Sequence, residues 1–224
     1  MTMNSFLWND TFRHQLRGDA HHYGEIVFLE SVLKQGMRVI DGGAHSGITT
    51  AAMAKAVGKT GHVYAFEPVA EYFSLLRNNM QRNRIGNITM LHLALNSTKG
   101  HVFIFKHGEG SGITPVADSE KTPAYATTVA EYIKIHDTRL DFMNLDCEGS
   151  ELNVLRGSKK LLQKMKPAIF CEVHRDYLKT LSQSVHDIVV FLQRVGYSVT
   201  PIQVDQLDTE SNFDDCSHIY ANPG

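Results

Sequence analysis

No stretch of this chain stays apolar for the roughly 20 residues that a bilayer-crossing helix requires, so no membrane-spanning role is expected. The amino terminus has neither a basic segment nor the apolar core of an export signal. Cysteine is scarce: Cys147, Cys171 and Cys216 are scattered and odd in number, which argues against a disulfide framework and for a reducing compartment. Together these absences lead to an expectation of a cytoplasmic protein. Charge of one sign is lacking too, since 22 Lys and Arg stand against 24 Asp and Glu. That balance gives no general field for nucleic acid, and no nucleic-acid partner is expected despite a local basic stretch from Arg77 to Arg84. There is no internal repeat or low-complexity tract.

What is present suits one globular domain over residues 1–224, long enough to bury roughly 70% of its unfolded surface. Its organising stretch runs from Arg38 to Thr50. An apolar run, Val39-Ile40, ends in Asp41, passes through Gly42, Gly43 and Gly47, and resumes as a helix-like segment from Ile48 to Val57. Such a strand, glycine-rich turn and helix let a ligand approach the backbone and meet unpaired N–H groups at the helix start. About twenty residues on, the run from Gly61 ends in Glu67-Pro68. A carboxylate at the tip of a second strand accepts hydrogen bonds from the ribose hydroxyls of a bound nucleoside. Asp41 and Glu67 therefore read as a pair, one near the cofactor tail and one on its ribose.

Two nucleotide fingerprints fail. The dinucleotide pattern wants three glycines in G-x-G-x-x-G, and the frame from Gly42 offers Gly42, Ala44 and Gly47, a partial match. Gly58-Lys59-Thr60 imitates the end of a P-loop, but Met53 holds the first glycine position and the tripeptide follows a helix instead of preceding one. The looser turn Asp41-x-Gly43-x-x-x-Gly47, with Glu67 beyond it, is the pattern of S-adenosylmethionine-dependent methyltransferases.

Elsewhere strands and helices alternate, which implies a parallel sheet with right-handed crossovers. Residues 1–24 read as irregular, and Ile26, Phe28, Leu29, Val32 and Leu33 as a helix stopping at Gly36, so 1–36 form a cap over the cofactor end from which Tyr23 and Glu25 reach the cofactor. Apolar positions from 69 to 80 predict an amphipathic helix. Ile88 to Leu95 reads as the third strand, with Ala94 and Leu95 beside the adenine, and His101 to Phe105 as a further short strand. Residues 107–124, rich in Gly, Pro, Ser and Thr, read as a flexible loop on the substrate side.

The second informative stretch is Asp141 to Gly149. A central strand is expected to be apolar on both faces, so Asn144, Asp146 and Glu148 on one parity need an explanation. Ser150 is placed to cap a helix bearing Leu152, Leu155, Leu161 and Leu162. The strand Ala168 to Val173 carries Glu172 and leads to His174; helix Val185 to Val195 and strands Tyr197 to Ile202 and Ser217 to Asn222 follow. Asp41, Glu67, Asp146, Glu148, Glu172 and His174 would gather at the carboxyl edge of the sheet, where open α/β sheets bind ligands.

With these residues on the page, the chain resembles the FkbM-type methyltransferases over roughly residues 22–174. The likeness rests on Val39 to Gly47, on Tyr64 to Pro68, on Leu93 to Leu95, and above all on Asn144-Leu145-Asp146-Cys147-Glu148-Gly149-Ser150-Glu151-Leu152. His45 stands where the family commonly has Asn, and Asn144 where Lys is common. The resemblance implies an α/β, Rossmann-like, doubly wound sheet of seven mostly parallel strands with helices on both faces, the class I methyltransferase fold. It also implies S-adenosyl-L-methionine as cofactor, held by Tyr23, Glu25, Asp41, Gly43, Ala44, His45, Gly47, Glu67, Pro68, Ala94, Leu95 and Asp146. The expected reaction is O-methylation of a small-molecule hydroxyl acceptor, such as a sugar or polyketide.

Transfer to oxygen benefits from a base. His174, oriented by Glu172 or Glu148, is the first candidate, Glu148 the second, and Asp146 a positioning group. Asp146, Glu148, Glu172 and His174 also offer donors to a divalent ion, but their spacing matches no dedicated metal motif and no metal is expected. The alternatives are an NAD(P)-dependent oxidoreductase, for which no Tyr-x-x-x-Lys pair is evident, and a non-catalytic nucleoside-binding module. The absence of an Asp/Asn-Pro-Pro-aromatic motif argues against adenine-N6 methylation.

Overall fold

The computed structural model describes residues 5–107, 110–113, 119–136, 138–206 and 211–224. In chain order the elements are α1 (Asp10–Leu16), α2 (Ala20–Val32), β1 (Arg38–Gly42), α3 (Ile48–Val57), β2 (His62–Phe66), α4 (Ala70–Arg82), β3 (Ile88–Leu91) and β4 (Ala94–Leu95). There follow β5 (Gly100–His107), β6 (Gly110–Gly112), β7 (Glu120–Thr127), α5 (Val129–His136), β8 (Phe142–Leu145), α6 (Glu151–Gly157), α7 (Lys159–Met165) and β9 (Ala168–Glu172). The chain closes with α8 (Arg175–Thr180), α9 (Val185–Arg194), β10 (Tyr197–Ile202) and β11 (His218–Pro223).

Seven strands form one sheet in the order β10-β11-β9-β8-β1-β2-β3, parallel except for β11, which runs against both neighbours. The expected doubly wound, mostly parallel seven-stranded sheet is thus the observed one. Alternation along each strand splits the core into two layers. Val39, Val63, Phe142 and Phe170 face one way, onto Leu29 of α2, Leu33 just after it, and Met53 and Val57 of α3. Ile40, Met143, Leu145, Ile169 and Cys171 face the other, onto Leu152, Leu155, Ile188 and Leu192 of α6 and α9. Each such fully buried aliphatic or aromatic side chain contributes about 1.5–3 kcal/mol, which is why the strands hold their register with both faces covered. The strand order reverses between β1 and β8, and the ligand crevice of an open sheet lies above such a point.

Four local expectations need correction. The N-terminal segment read as irregular contains α1, capped by Asn9 accepting from Phe12 N, and α2 begins at Ala20, capped by Asp19. Phe6, Phe12 and Leu16 pack on Ile48, Leu76 and Met80, a long-range contact that sequence periodicity cannot register. The third strand stops at Leu91, and Ala94-Leu95 pair with β7 in a second sheet ordered β4-β7-β5-β6. Within the segment read as a loop, 110–112 and 120–124 are strands of that second sheet, because both pair with β5; residues 108–109 and 114–118 lie outside the described residues. The helix read across Leu152 to Leu162 is two helices meeting at Ser158, and Ser150 stands at the first helix start without a side-chain capping bond.

Candidate active site

The first carboxylate sets the turn. Asp41 is fully buried under the glycine loop, accepting from Thr50 Oγ1 of α3 and from Asn144 Nδ2 of β8 at 3.0 Å. Burial pushes its pKa up to about 6 against the pull of those two donors. It ties strand, turn and helix together from behind and does not line the cavity. Gly43, at φ 89°, lies so close to the β8 end that a Cβ there would sit 1.7 Å from the Asp146 carbonyl oxygen, so only glycine fits. Gly47, at φ 88°, opens α3 and likewise stays off the cavity wall.

Glu67, at the tip of β2, is buried and lines the cavity. Its two oxygens accept from Val69 N at 2.7 Å and His45 N at 2.8 Å. Burial raises its pKa to about 7, with the two backbone donors and the neighbouring Asp41 charge acting in opposite senses. His45 holds φ 47° to deliver that N–H, and its ring lies 3.9 Å from Tyr72. Pro68, Leu93, Ala94, Leu95, Ile104 and Ile113 make an apolar side to the same cavity, which measures about 290 Å³.

Across the cavity, β8 ends at Leu145 and the chain turns through Asp146 to Gly149, so strand parity no longer applies to Asp146 and Glu148. Glu148 takes φ 48°, a left-handed conformation that places its side chain on the cavity wall. His174, just past β9, is held through Nδ1 by Glu151 Oε1 at 3.0 Å. Its Nε2 faces Asp146, Glu172 and Glu148 at 3.5, 3.6 and 3.9 Å. Burial disfavours the imidazolium, but the Glu151 hydrogen bond and the Asp146, Glu151 and Glu172 charges prevail and hold the pKa up at about 11. His174 is therefore charged near neutrality, and the proton acceptor expected there is already occupied.

Glu172 is pushed up by burial yet brought down to about 2 by the His21 hydrogen bond and the charges of His174, His218 and His21. Asp146 is raised well above its ordinary range by enclosure and by Glu172, opposed by His174, although 37% of its side chain faces open space.

All four residues expected to carry chemistry, Asp146, Glu148, Glu172 and His174, share this cavity. So do Glu25, Gly43, Ala44, His45, Glu67, Pro68, Ala94 and Leu95 from the expected cofactor set. Tyr23 does not: it turns to the far side of α2, where the Arg17 guanidinium lies 5.8 Å from its ring. Sequence reasoning gave no role to Glu151, although it stands in the same motif and orients His174 in place of Glu172 or Glu148. It also missed His21 and His218, whose partners Glu172 and Glu25 are more than 140 residues away in sequence.

The methyltransferase FkbM domain model matches residues 41–199. The crystal structure of methyltransferase FkbM from Methylobacillus flagellatus KT superposes with a TM-score of 0.57 at 18% identity, covering 96% of this chain and 56% of that one. A SAM-dependent methyltransferase from Aquifex aeolicus gives 0.52 at 18% identity, covering 96% and 98%. Among curated relatives, a protein-L-isoaspartate O-methyltransferase of Methanococcoides burtonii is 32% identical over 93 residues, 40% of this chain and 46% of that protein. The same enzyme of Methanothrix thermoacetophila is 39% identical over 59 residues, 26% and 28% of the two chains. The matches thus span less than half the length of those relatives and just over half of the FkbM structure. Among the described residues no helix is long and apolar enough to cross a membrane.

Proposed function

We propose, since the chain belongs to the methyltransferase FkbM family, that this S-adenosylmethionine-dependent methyltransferase acts on a hydroxyl oxygen of a small acceptor of natural-product or sugar type. The observation that supports the reading is one cavity with two chemically different ends: Glu67 and an apolar wall at one, and Asp146, Glu148 and His174 at the other.

The residues at the first end suit a nucleoside. Glu67 spends one lone pair of each oxygen on a backbone N–H and keeps the others for two ribose hydroxyls. The Gly43-Ala44 backbone, free of bulk, would border the tail of the cofactor, and Pro68, Ala94 and Leu95 would present apolar surface to the base. S-adenosylmethionine would supply a sulfonium methyl for transfer to the acceptor oxygen, with S-adenosylhomocysteine as the leaving group. Glu148 takes the hydroxyl proton on its carboxylate. His174, fixed by Glu151, keeps its own proton at Nε2 and orients the Asp146 and Glu148 carboxylates around the acceptor. Much of the acceleration comes from this alignment, and proton removal adds about 10²–10⁴-fold.

The test is methyl transfer from S-adenosylmethionine to a panel of sugar and polyketide alcohols, read by mass spectrometry, with isoaspartyl peptide and NAD-dependent oxidation as parallel assays. Methylated alcohol formed by wild type and lost in Glu148→Gln supports the reading. Transfer only to the peptide carboxylate, or oxidation with NAD, overturns it.

A further inference from the structure

Beside the reacting end, Glu172 at the end of β9 is joined by three further side chains, His21 and Glu25 from α2 and His218 at the start of β11, and all but His218 line the cavity. Two regular geometries bring them together. His21 and Glu25 are four residues apart and so share one face of their helix. Glu172 and His218 are register partners across an antiparallel pair, their side chains on the same face of the sheet. One nitrogen or oxygen from each of the four lies within 4.8 Å of those of the others.

We propose that these four residues bind one divalent first-row transition-metal ion through two imidazole nitrogens and two carboxylate oxygens. Spacing supports it. His218 Nε2 stands 3.2 Å from Glu25 Oε1, and His21 Nε2 stands 3.4 Å from Glu172 Oε1. Both exceed the roughly 2.7–2.9 Å of a charge-assisted hydrogen bond. Both match the edge of about 3.3 Å that a tetrahedral site has when its metal–ligand bonds are about 2.0–2.1 Å.

Orientation supports it as well. The second ring nitrogen of His218, Nδ1, is held by Ser217 Oγ at 3.1 Å, and the ring lies on Phe170 at 4.4 Å with planes 7° apart. That is the outer hydrogen bond and packing by which a protein fixes a ligating imidazole. Charge points the same way. Among the described residues neither Glu25 nor Glu172 has a lysine or arginine within ion-pairing distance; their ion-pair partners are histidines, and the Asp146 carboxylate adds a further negative charge beside them. A divalent cation at the centre of the four would neutralise both enclosed carboxylates at once, in place of the protons that His21 and His218 would otherwise carry. Two nitrogen donors favour zinc, manganese, iron or cobalt over magnesium or calcium. His21, Glu25 and Glu172 also line the cavity, so the ion's open side would face the acceptor space, with room for water or an acceptor oxygen as a further ligand. The assignment needs no turnover, and it stands or falls separately from methyl transfer.

The experiment strips the purified protein with a chelator, removes the chelator, and titrates Zn²⁺ and Mn²⁺ by calorimetry, with metal content by elemental analysis and folding by circular dichroism. His21→Ala, at a partly exposed position, and Glu25→Gln are the test variants; Asp146→Asn probes the neighbouring trio of Asp146, Glu148 and His174. The expected result is one ion per wild-type chain, a rise in thermal stability on loading, and affinity lower by ~100-fold or more in a folded His21→Ala. Absence of stoichiometric binding to wild type, wild-type affinity in folded His21→Ala, or loss confined to Asp146→Asn would each overturn the assignment.

Discussion

Glu67→Gln separates binding from folding more cleanly than any other change in this molecule. The substitution keeps the volume of a buried side chain and one oxygen for Val69 N or His45 N, but removes the negative charge that would meet the ribose. A hydrogen bond to a charged group is worth about 1.5–3 kcal/mol, so two ribose bonds weakened together amount to about 3 kcal/mol, roughly 100-fold in affinity. The fold responds in the opposite direction. Burial holds the Glu67 pKa near 7 against an ordinary 4.5. Between those two values the folded chain retains a proton that the unfolded chain has lost, so stability falls as pH rises through that window and the full penalty stands above it. The gap corresponds to about 3 kcal/mol, offset by about 1 kcal/mol for the backbone donor left without an acceptor. At pH 8 the ligand-free variant is therefore at least as stable as wild type, while S-adenosylhomocysteine binds about 100-fold more weakly. In wild type that affinity falls as pH drops below about 7; in the variant it stays flat. Calorimetry and urea unfolding at several pH values read both quantities. A variant that binds within threefold of wild type, or that unfolds well before it at pH 8, refutes the reasoning.

Glu148→Gln should lower kcat by about 10²–10⁴-fold while leaving S-adenosylhomocysteine affinity unchanged, since the side chain stands at the acceptor end. Glu151→Ala strips His174 of its 3.0 Å partner and removes the acceptor of Cys147 N and Gly149 N. It should cost about 3–5 kcal/mol in urea unfolding, as breaking a buried ion pair does. Gly43→Ala forces a Cβ to within 1.7 Å of the Asp146 carbonyl at φ 89°; it should abolish cofactor binding and lower the melting temperature, whereas Gly86→Ala, where nothing lies within 4 Å, should do neither.

The core of the fold was legible wherever a short stretch dictates its own geometry. Val39-Ile40-Asp41 and the glycines after it require a strand, a left-handed turn and a helix start in that order, and α3 spans the Ile48–Val57 read from sequence. The second sheet was not legible. Its strands pair β5 with segments up to 26 residues away, and Gly, Ser, Thr and Pro in 107–124 favour a loop reading unless that pairing is known. Tyr23 and Glu25 were assigned together, yet two residues apart on a helix means opposite sides, and only Glu25 reaches the cavity. The convergence of acids on His174 was visible from strand ends alone. Its protonation was not, because that depends on Glu151 behind the ring and three carboxylates before it, a balance set by distances of 3.0–3.9 Å.

The most direct test of the central claim is titration calorimetry of the wild-type protein at pH 8 with S-adenosylhomocysteine and, separately, with NAD. The account predicts one S-adenosylhomocysteine bound per chain and no heat of binding from NAD. Binding of NAD in its place, or of neither ligand, would contradict it.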